Sequence, residues 1–193
     1  MKKLIGSLCA VFAVGLTPAA RAEEAAKAEA KTEHHMTPPK PGPELEKMKW
    51  TIGAWHCTGK RHMPPEAGGG TVDTKATMTI KAALDNWYYS GDFKAEKTKE
   101  MPGMKAQVFW GYNPVDKHYV QVWMDSMGGM SHSTSNGLEG DKEVWEGEAV
   151  MMGKKMKTRS TLTKKSDKEI ALADEVEAEA GKWVAMGEDS CKK

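Results

Sequence analysis

The chain has 193 residues, of which 28% are charged and 39% are hydrophobic, and its formal net charge is +1 at pH 7. A chain of this length supports one domain with a tail. The balance of 28 basic and 27 acidic residues argues against nucleic-acid binding driven by net positive charge. After residue 22 no apolar stretch approaches the roughly 20 residues that a membrane-spanning helix needs, so we expect no transmembrane segment.

The first 22 residues have the features of a secretory signal peptide. Lys2 and Lys3 provide the charged start, residues 4–16 form the apolar run, and small residues up to Ala22 offer a cleavage site. Cleavage after Ala22 removes Lys2, Lys3 and Arg21, which leaves 171 residues with a net charge of −2. The sequence therefore predicts a periplasmic or secreted protein.

The chain after the signal divides into a spacer and a domain. Residues 23–43 are mostly Ala, Glu, Lys and Pro, without the apolar stripe by which a helix docks on a core. The prolines between positions 38 and 43 interrupt any helix. We expect a flexible tether over residues 23–43 and the folded domain over residues 44–193.

The domain begins with one or two expected helical turns, because Pro43 can start a helix and Glu44 and Glu46 favour its first turn. Short runs rich in Thr, Val, Trp and Tyr follow, separated by turn residues. The pattern predicts ten strands, at residues 50–60, 71–84, 86–95, 104–112, 118–126, 130–139, 143–150, 155–165, 168–178 and 182–190.

Most connections between these strands are short enough for hairpins, so consecutive strands are expected to pair antiparallel. Ten such strands in an open sheet would leave two exposed edges, and closure into a barrel removes them. The sequence therefore favours an all-β fold, an antiparallel up-and-down β-barrel of about ten strands with a short N-terminal helix. A β-sandwich is the alternative.

Two cysteines remain once the signal, with Cys9, is removed. Cys57 lies on the first predicted strand and Cys191 at the end of the last, and these strands are neighbours in a closed barrel. Export would place both thiols where disulfides persist. We therefore expect a disulfide between Cys57 and Cys191 across the closure. The alternative is two unrelated thiols, one buried and one near the C terminus.

The fifth predicted strand is apolar or aromatic on both faces. Val120, Val122 and Met124 share one face. Tyr119 and Trp123 share the other. Alternation therefore does not identify the inner face. A barrel of this kind either has a filled core or leaves a pocket for one small ligand.

Four segments carry a resemblance to a known family. They are Gly53-Ala54-Trp55, Gly111-Tyr112-Asn113-Pro114, the Trp-Met-Asp-Ser-Met run at 123–127 and the run at 155–163. Together they resemble the DUF1579 family, a bacterial domain of unknown function. That family looks related to the calycin-like barrels, which include lipocalins, fatty-acid-binding proteins and the haem-binding nitrobindin group.

The resemblance covers residues 44–165 and implies a barrel with a central pocket. It implies no particular reaction, because one fold can host many functions. Nitrobindin-like relatives hold haem iron through a histidine, whereas the last two predicted strands of this chain contain none. The sequence therefore argues against haem.

Aromatic side chains around one carboxylate form the first candidate ligand site. Tyr89, Trp110, Trp123 and Asp125 lie on three neighbouring predicted strands, and Met127 follows in the next turn. Such a group could line a pocket that stacks a flat or apolar ligand. The alternative is core packing, with Asp125 stabilising a turn.

Arg159 is the second candidate, because Arg61 and Arg159 are the only arginines that remain after signal removal. An inward Arg159 could bind a ligand carboxylate through two hydrogen bonds. In the alternative it points outward and pairs with Glu146 or Glu148 on the preceding strand.

The third candidate is a metal site. Met124, Met127, Met130 and His132 fall within nine residues, and thioether and imidazole groups suit Cu(I). The alternative is that methionine fills irregular space in the barrel.

The chain contains no Gly-x-Ser-x-Gly, Cys-x-x-Cys or His-Glu-x-x-His motif and no phosphate-binding loop. We therefore expect an exported, non-enzymatic protein that binds a small apolar or amphipathic molecule in a barrel pocket, without a resident cofactor. Cu(I) binding, an uncharacterised enzyme and a structural barrel are the alternatives.

Overall fold

A computed structural model describes residues 40–65 and 68–193. The predicted signal peptide and residues 23–39 of the predicted tether lie outside these ranges. Within the ranges, no helix has the length and apolar character that crossing a membrane requires.

A 3₁₀ helix and ten strands make up the described fold. The helix spans Leu45–Thr51. The strands are β1 Gly53–His62, β2 Thr71–Ala83, β3 Tyr88–Ala95, β4 Met104–Asn113, β5 His118–Asp125, β6 Met130–Ser135, β7 Lys142–Met151, β8 Lys154–Ser166, β9 Glu169–Glu179 and β10 Lys182–Lys192. Each strand pairs antiparallel with the next, and β1 pairs with β10, so the sheet closes into a barrel. The predicted fold class is confirmed, and closure excludes the sandwich.

Two strand boundaries differ most from the prediction, for identifiable reasons. The first strand begins at Gly53, because residues 50 and 51 belong to the helix, where the Thr51 hydroxyl donates to the Met48 carbonyl at 2.7 Å. The sixth strand ends at Ser135. Gly137 turns the chain there with a φ of 92°, a conformation that favours glycine, and its amide donates to the Ser135 hydroxyl at 3.0 Å.

The helix covers one end of the barrel, which we call the helix end. Three side chains from separate strands donate hydrogen bonds to backbone carbonyls of the helix and its N-cap: Tyr119 to Glu44 at 2.9 Å, Tyr89 to Leu45 at 3.0 Å, and Trp55 to Thr51 at 2.7 Å. In an up-and-down barrel, the turns after odd-numbered strands all lie at the opposite end. We call that end the turn end.

Cross-strand pairing identifies the inner face, because directly paired residues point to the same side of a sheet. The buried core therefore marks the inside; it includes Trp55, Cys57, Ile80, Tyr89, Val108, Trp110, Tyr119, Trp145, Ile170 and Cys191. On β5 the face that carries Tyr119 and Trp123 is the inner one, since Trp123 is paired with the fully buried Val108.

A disulfide joins the first and last strands. Cys57 and Cys191 are direct partners across β1 and β10, with their Cα atoms 4.0 Å apart and their sulfur atoms bonded. Both side chains are buried on the inner face. The bond therefore lies on the seam where the barrel closes.

Candidate functional site

The inner face of the barrel is not completely buried. Trp55 and Val108 are 2% and 0% exposed, whereas Met78, Trp123 and Leu172 pack against the core and stay partly exposed. Because a closed barrel screens its inner face from the outside, this exposure indicates accessible space within the barrel. The interior is therefore the candidate binding site.

Four polar residues from four adjacent strands meet on the inner face, and we call them the arginine cluster: Arg61 on β1, Asp189 on β10, Asp174 on β9 and Ser160 on β8. Arg61 Nη2 donates to Asp189 Oδ2 at 2.5 Å and lies 3.7 Å from Asp174 Oδ2. The Ser160 hydroxyl donates to Asp174 Oδ1 at 2.6 Å. One guanidinium thus faces two carboxyl groups.

Two glycines make room for this cluster. A Cβ atom at Gly187, which is paired with both Arg61 and Asp174, would lie 2.3 Å from Arg61 Nη1. A Cβ atom at Gly59 would lie 2.2 Å from Asp189 Oδ1. Because neither position carries a side chain, the guanidinium can extend across β10 to reach the carboxyl group on β9.

The carboxyl group of Asp174 is set apart from bulk solvent. Burial is the main cause that raises its pKa above the usual range for aspartate; Asp189 adds to the rise, while Ser160 and Arg61 oppose it. Nevertheless, 35% of its side-chain surface is accessible. Because Asp174 lies on the inner face, this accessible surface faces the barrel interior.

A second carboxyl group lies nearer the helix end. Glu143, on the inner face of β7, is 3% exposed, and its Oε1 has no hydrogen-bond partner within the described chain. Burial raises the pKa of Glu143 from 4.5 to about 7, although hydrogen bonds from Ser135 and Trp145 act in the opposite direction. The inner face therefore holds an unused, buried acceptor atom.

The predicted aromatic residues all point into the barrel. Tyr89 and Trp110 are direct partners in the buried core. Trp123 is partly exposed, and its indole N–H donates to Asp125 Oδ2 at 3.2 Å. The other oxygen of Asp125 accepts the Met127 amide at 2.8 Å, so this carboxylate stabilises the β5–β6 turn. Met127 lies in that turn and is 58% exposed.

Arg159 points away from the interior. Its Nε donates to Glu175 Oε2 at 2.7 Å on the outer face, and Glu146 lies 4.0 Å away on the other side. The guanidinium also stacks over the Trp183 ring at 4.5 Å. The structure thus places Arg159 in the outward arrangement that the sequence left as the alternative, and the inner arginine is Arg61.

The candidate copper ligands lie on the β5–β6 hairpin at the turn end. Met124 and Met130 are direct partners on the outer face, 45% and 54% exposed, and Met127 lies in the turn between them. His132 follows Met130 on that face. Across residues 40–65 and 68–193, no three His, Cys, Asp or Glu side chains form a group that could hold a metal ion.

A shallow groove of about 810 Å³ crosses the outer face of the strands that carry the arginine cluster. Small side chains form much of its floor, including Ala171, Ala173 and Ser190. Exposed charged residues, such as Lys60 and Glu188, flank it. The groove offers a mixed surface in contact with bulk solvent, so the partly exposed inner face of the barrel is the stronger candidate.

Comparison with family models assigns the chain to a family. A family model described as "Protein of unknown function (DUF1579)" matches residues 40–193. The chain belongs to the DUF1579 family. The match continues past residue 165 and includes β9 and β10, which supply Asp174, Asp189 and Cys191 to the inner face. No curated protein matches this family member in sequence.

A solved structure shares the fold at low sequence identity. The crystal structure of Rv2717c from M. tuberculosis matches with a TM-score of 0.62 and 9% identity, over 80% of this chain and 99% of that one. This likeness shows the fold alone. A redesigned β-barrel matches with a TM-score of only 0.39 and 10% identity, over 75% of this chain and 92% of that one.

Proposed function

We propose that this DUF1579 member is an exported, non-enzymatic binding protein that holds a small apolar or amphipathic molecule inside its barrel. The observation that carries the proposal is the partial exposure of inner-face apolar side chains, such as Trp123 and Leu172, in a barrel whose helix end is covered. Enclosed apolar surface with a few converging polar groups is typical of ligand sites. The signal-like residues 1–22 support export.

The interior combines the two kinds of surface that an amphipathic molecule needs. Phe93 and Trp123 form an aromatic pair with ring centroids 5.2 Å apart. The arginine cluster supplies the polar part from the strands β8, β9, β10 and β1. A ligand in this space would therefore contact aromatic and aliphatic side chains along its apolar part and hydrogen-bonding groups at its polar end.

A matched pair of variants tests whether the interior is the binding site. Ala76 is partly exposed on the inner face of β2, and Ala54 is exposed on the outer face of β1. Ala76→Phe fills the interior, while Ala54→Phe adds the same side chain outside. The measurement is binding of an environment-sensitive apolar dye, with thermal unfolding followed by circular dichroism to establish that both variants fold.

We expect the parent and Ala54→Phe to bind the dye equally and Ala76→Phe to bind at least tenfold more weakly, a loss of about 1.4 kcal/mol. Equal affinity in both folded variants would place the dye outside the barrel. Absence of dye binding to the parent, together with no mass that co-purifies in native mass spectrometry, would contradict the proposed function.

The methionine residues of the β5–β6 hairpin support a second candidate function, Cu(I) binding. The observation that favours it is the direct pairing of Met124 with Met130, with Met127 in the connecting turn. Soft thioether ligands select Cu(I) over harder cations. In an anaerobic Cu(I) titration, the double variant Met124→Leu plus Met130→Leu should lose a binding site. The control Met152→Leu should keep it; Met152 is 91% exposed. Equal Cu(I) affinity in all three proteins would dismiss this candidate.

A further inference from the structure

We infer that the barrel interior selects an amphipathic ligand whose polar end is a protonated amine, in preference to one that ends in a carboxylate. This inference rests on the proposed function and specifies the ligand class. Three observations support it. They are the acidic side chains of the inner face, the ion pair that Arg61 already makes with Asp189, and two carboxyl oxygen atoms that accept no hydrogen bond from the described residues.

Among the described residues, the inner face carries four acidic groups, Asp125, Glu143, Asp174 and Asp189. The basic residues there include Arg61, in the cluster, Lys164, which lies 4.6 Å from the Trp50 ring at the helix end, and the exposed Lys154, which is paired with Met151 at the start of β8. A ligand carboxylate would add another negative charge to this interior.

Arg61 already has a carboxylate partner inside the barrel. Its Nη2 already donates to Asp189 at 2.5 Å, and its Nη1 donates to the Lys60 carbonyl at 3.3 Å. If Arg61 moved away from Asp189, the Asp189 carboxylate, whose side chain is 10% exposed, would lose its cation. Leaving a buried charge unpaired is strongly unfavourable, so an incoming carboxylate would not displace this partner.

Among the described residues, two carboxyl groups of the interior have an acceptor atom without a hydrogen bond. Asp174 Oδ2 has no hydrogen bond within the part of the chain that the structure describes; its nearest cation is 3.7 Å away. Glu143 Oε1 is buried and also lacks a partner. Both carboxyl groups would gain from a donor that arrives with the ligand, and an ammonium group offers three donors and no acceptor.

The two acceptors belong to one continuous inner surface. Glu143 is paired with Leu162, and Leu162 with Leu172, which precedes Asp174 by two residues on the inner face of β9. Two strand spacings and one two-residue step along β9 separate the backbone positions of the two carboxyl groups, a distance of about 12 Å along the sheet. Acidic groups thus stand at both ends of a leucine-lined surface. An alkyl chain with an amine end can lie against the leucines while its head contacts either carboxyl group.

The test compares three probes with the same linear alkyl chain: decylamine, decanol and decanoate. Each displaces the apolar dye near neutral pH, where the amine is protonated and decanoate is ionised. The proteins are the parent, Asp174→Asn, Glu143→Gln and the control Asp92→Asn. Asp92 is 55% exposed on the outer face of β3, beside Lys81.

We expect the parent and Asp92→Asn to bind decylamine at least tenfold more tightly than decanol and decanoate, as charge-assisted hydrogen bonds allow. Asp174→Asn or Glu143→Gln should lose most of this preference while keeping the parental affinity for decanol. Equal or tighter binding of decanoate would overturn the inference and leave the proposed function standing. So would a preference for decylamine that persists in both variants. Failure of the parent to bind any of the three probes would overturn both.

Discussion

Replacing Glu143 with glutamine measures what a buried carboxyl group does to the stability of the barrel. Burial raises the pKa of Glu143 from 4.5 to about 7. A carboxyl group whose pKa is raised by folding stabilises the fold fully below the unfolded pKa, and this contribution is lost as the pH rises through the folded pKa. A difference of about 2.5 pKa units at 1.36 kcal/mol each corresponds to about 3 kcal/mol of unfolding free energy.

The assay is urea unfolding of the oxidised protein at a series of values between about pH 4 and pH 8. From Glu143 alone, the unfolding free energy of the parent should fall by about 3 kcal/mol over this range, and Glu143→Gln should remove that fall. Asp174, whose pKa burial also raises, acts in the same direction, so the variant should still lose some stability as the pH rises.

Glu139→Gln is the matched control, because Glu139 is exposed in the connection before β7. It should follow the parental curve at every pH. Identical pH slopes in the parent and Glu143→Gln would refute the reasoning, since they would mean that Glu143 titrates alike in the folded and unfolded chains.

The disulfide, the arginine cluster and the signal peptide also make testable predictions. Reduction should raise the intact mass by two hydrogens, and Cys57→Ser should lower the unfolding free energy by about 4 kcal/mol; an unchanged mass would rule out the bond. Gly187→Ala should lower it by about 1–3 kcal/mol in urea titrations, because a Cβ atom would lie 2.3 Å from Arg61 Nη1 and 2.6 Å from the Lys60 carbonyl oxygen. A parental midpoint would show that these groups move aside freely. Protein purified from its own host should begin at residue 23 by N-terminal sequencing; a chain that still begins at Met1 would contradict cleavage.

The strand order of the barrel could be predicted because its signals are local. Turn residues such as Asn113 and Pro114, with the hairpin-length connections, separate the runs, and sequential antiparallel pairing follows from them. Closure is a longer-range property, and the positions of Cys57 and Cys191 on the first and last strands indicated it. The structure has the same ten strands and the same pairing of β1 with β10.

The polar groups of the interior could not be predicted in the same way, because they depend on residues that are distant in sequence. Arg61 reaches Asp174 only because Gly187, on the strand between them, has no side chain. A partial signal did exist, since Arg61 alternates in phase with Cys57 on β1. Rarity favoured Arg61 and Arg159 equally, and only the neighbouring strands distinguish the inner arginine from the outer one.

Glu143 was missed for a related reason. It lies in a Lys-Glu-Val-Trp-Glu run that has the polar content of a solvated strand. Its alternation in phase with Trp145 places it on the buried face, but alternation did not identify that face while both sides of β5 were apolar. Burial of a carboxyl group therefore became visible only once the pairing of β7 with β8 was known.

The disulfide on the barrel seam also determines how the domain would respond to mechanical force. A force applied to the two ends of the domain would be transmitted through the bond between Cys57 and Cys191, so the strands between these residues would not bear it. These strands would stay unloaded until that bond is reduced. Its reduction would release a segment with a sequence separation of 134, or about 450 Å of extended chain. A thiol reductant would thus convert a domain that barely extends under load into one that unravels strand by strand.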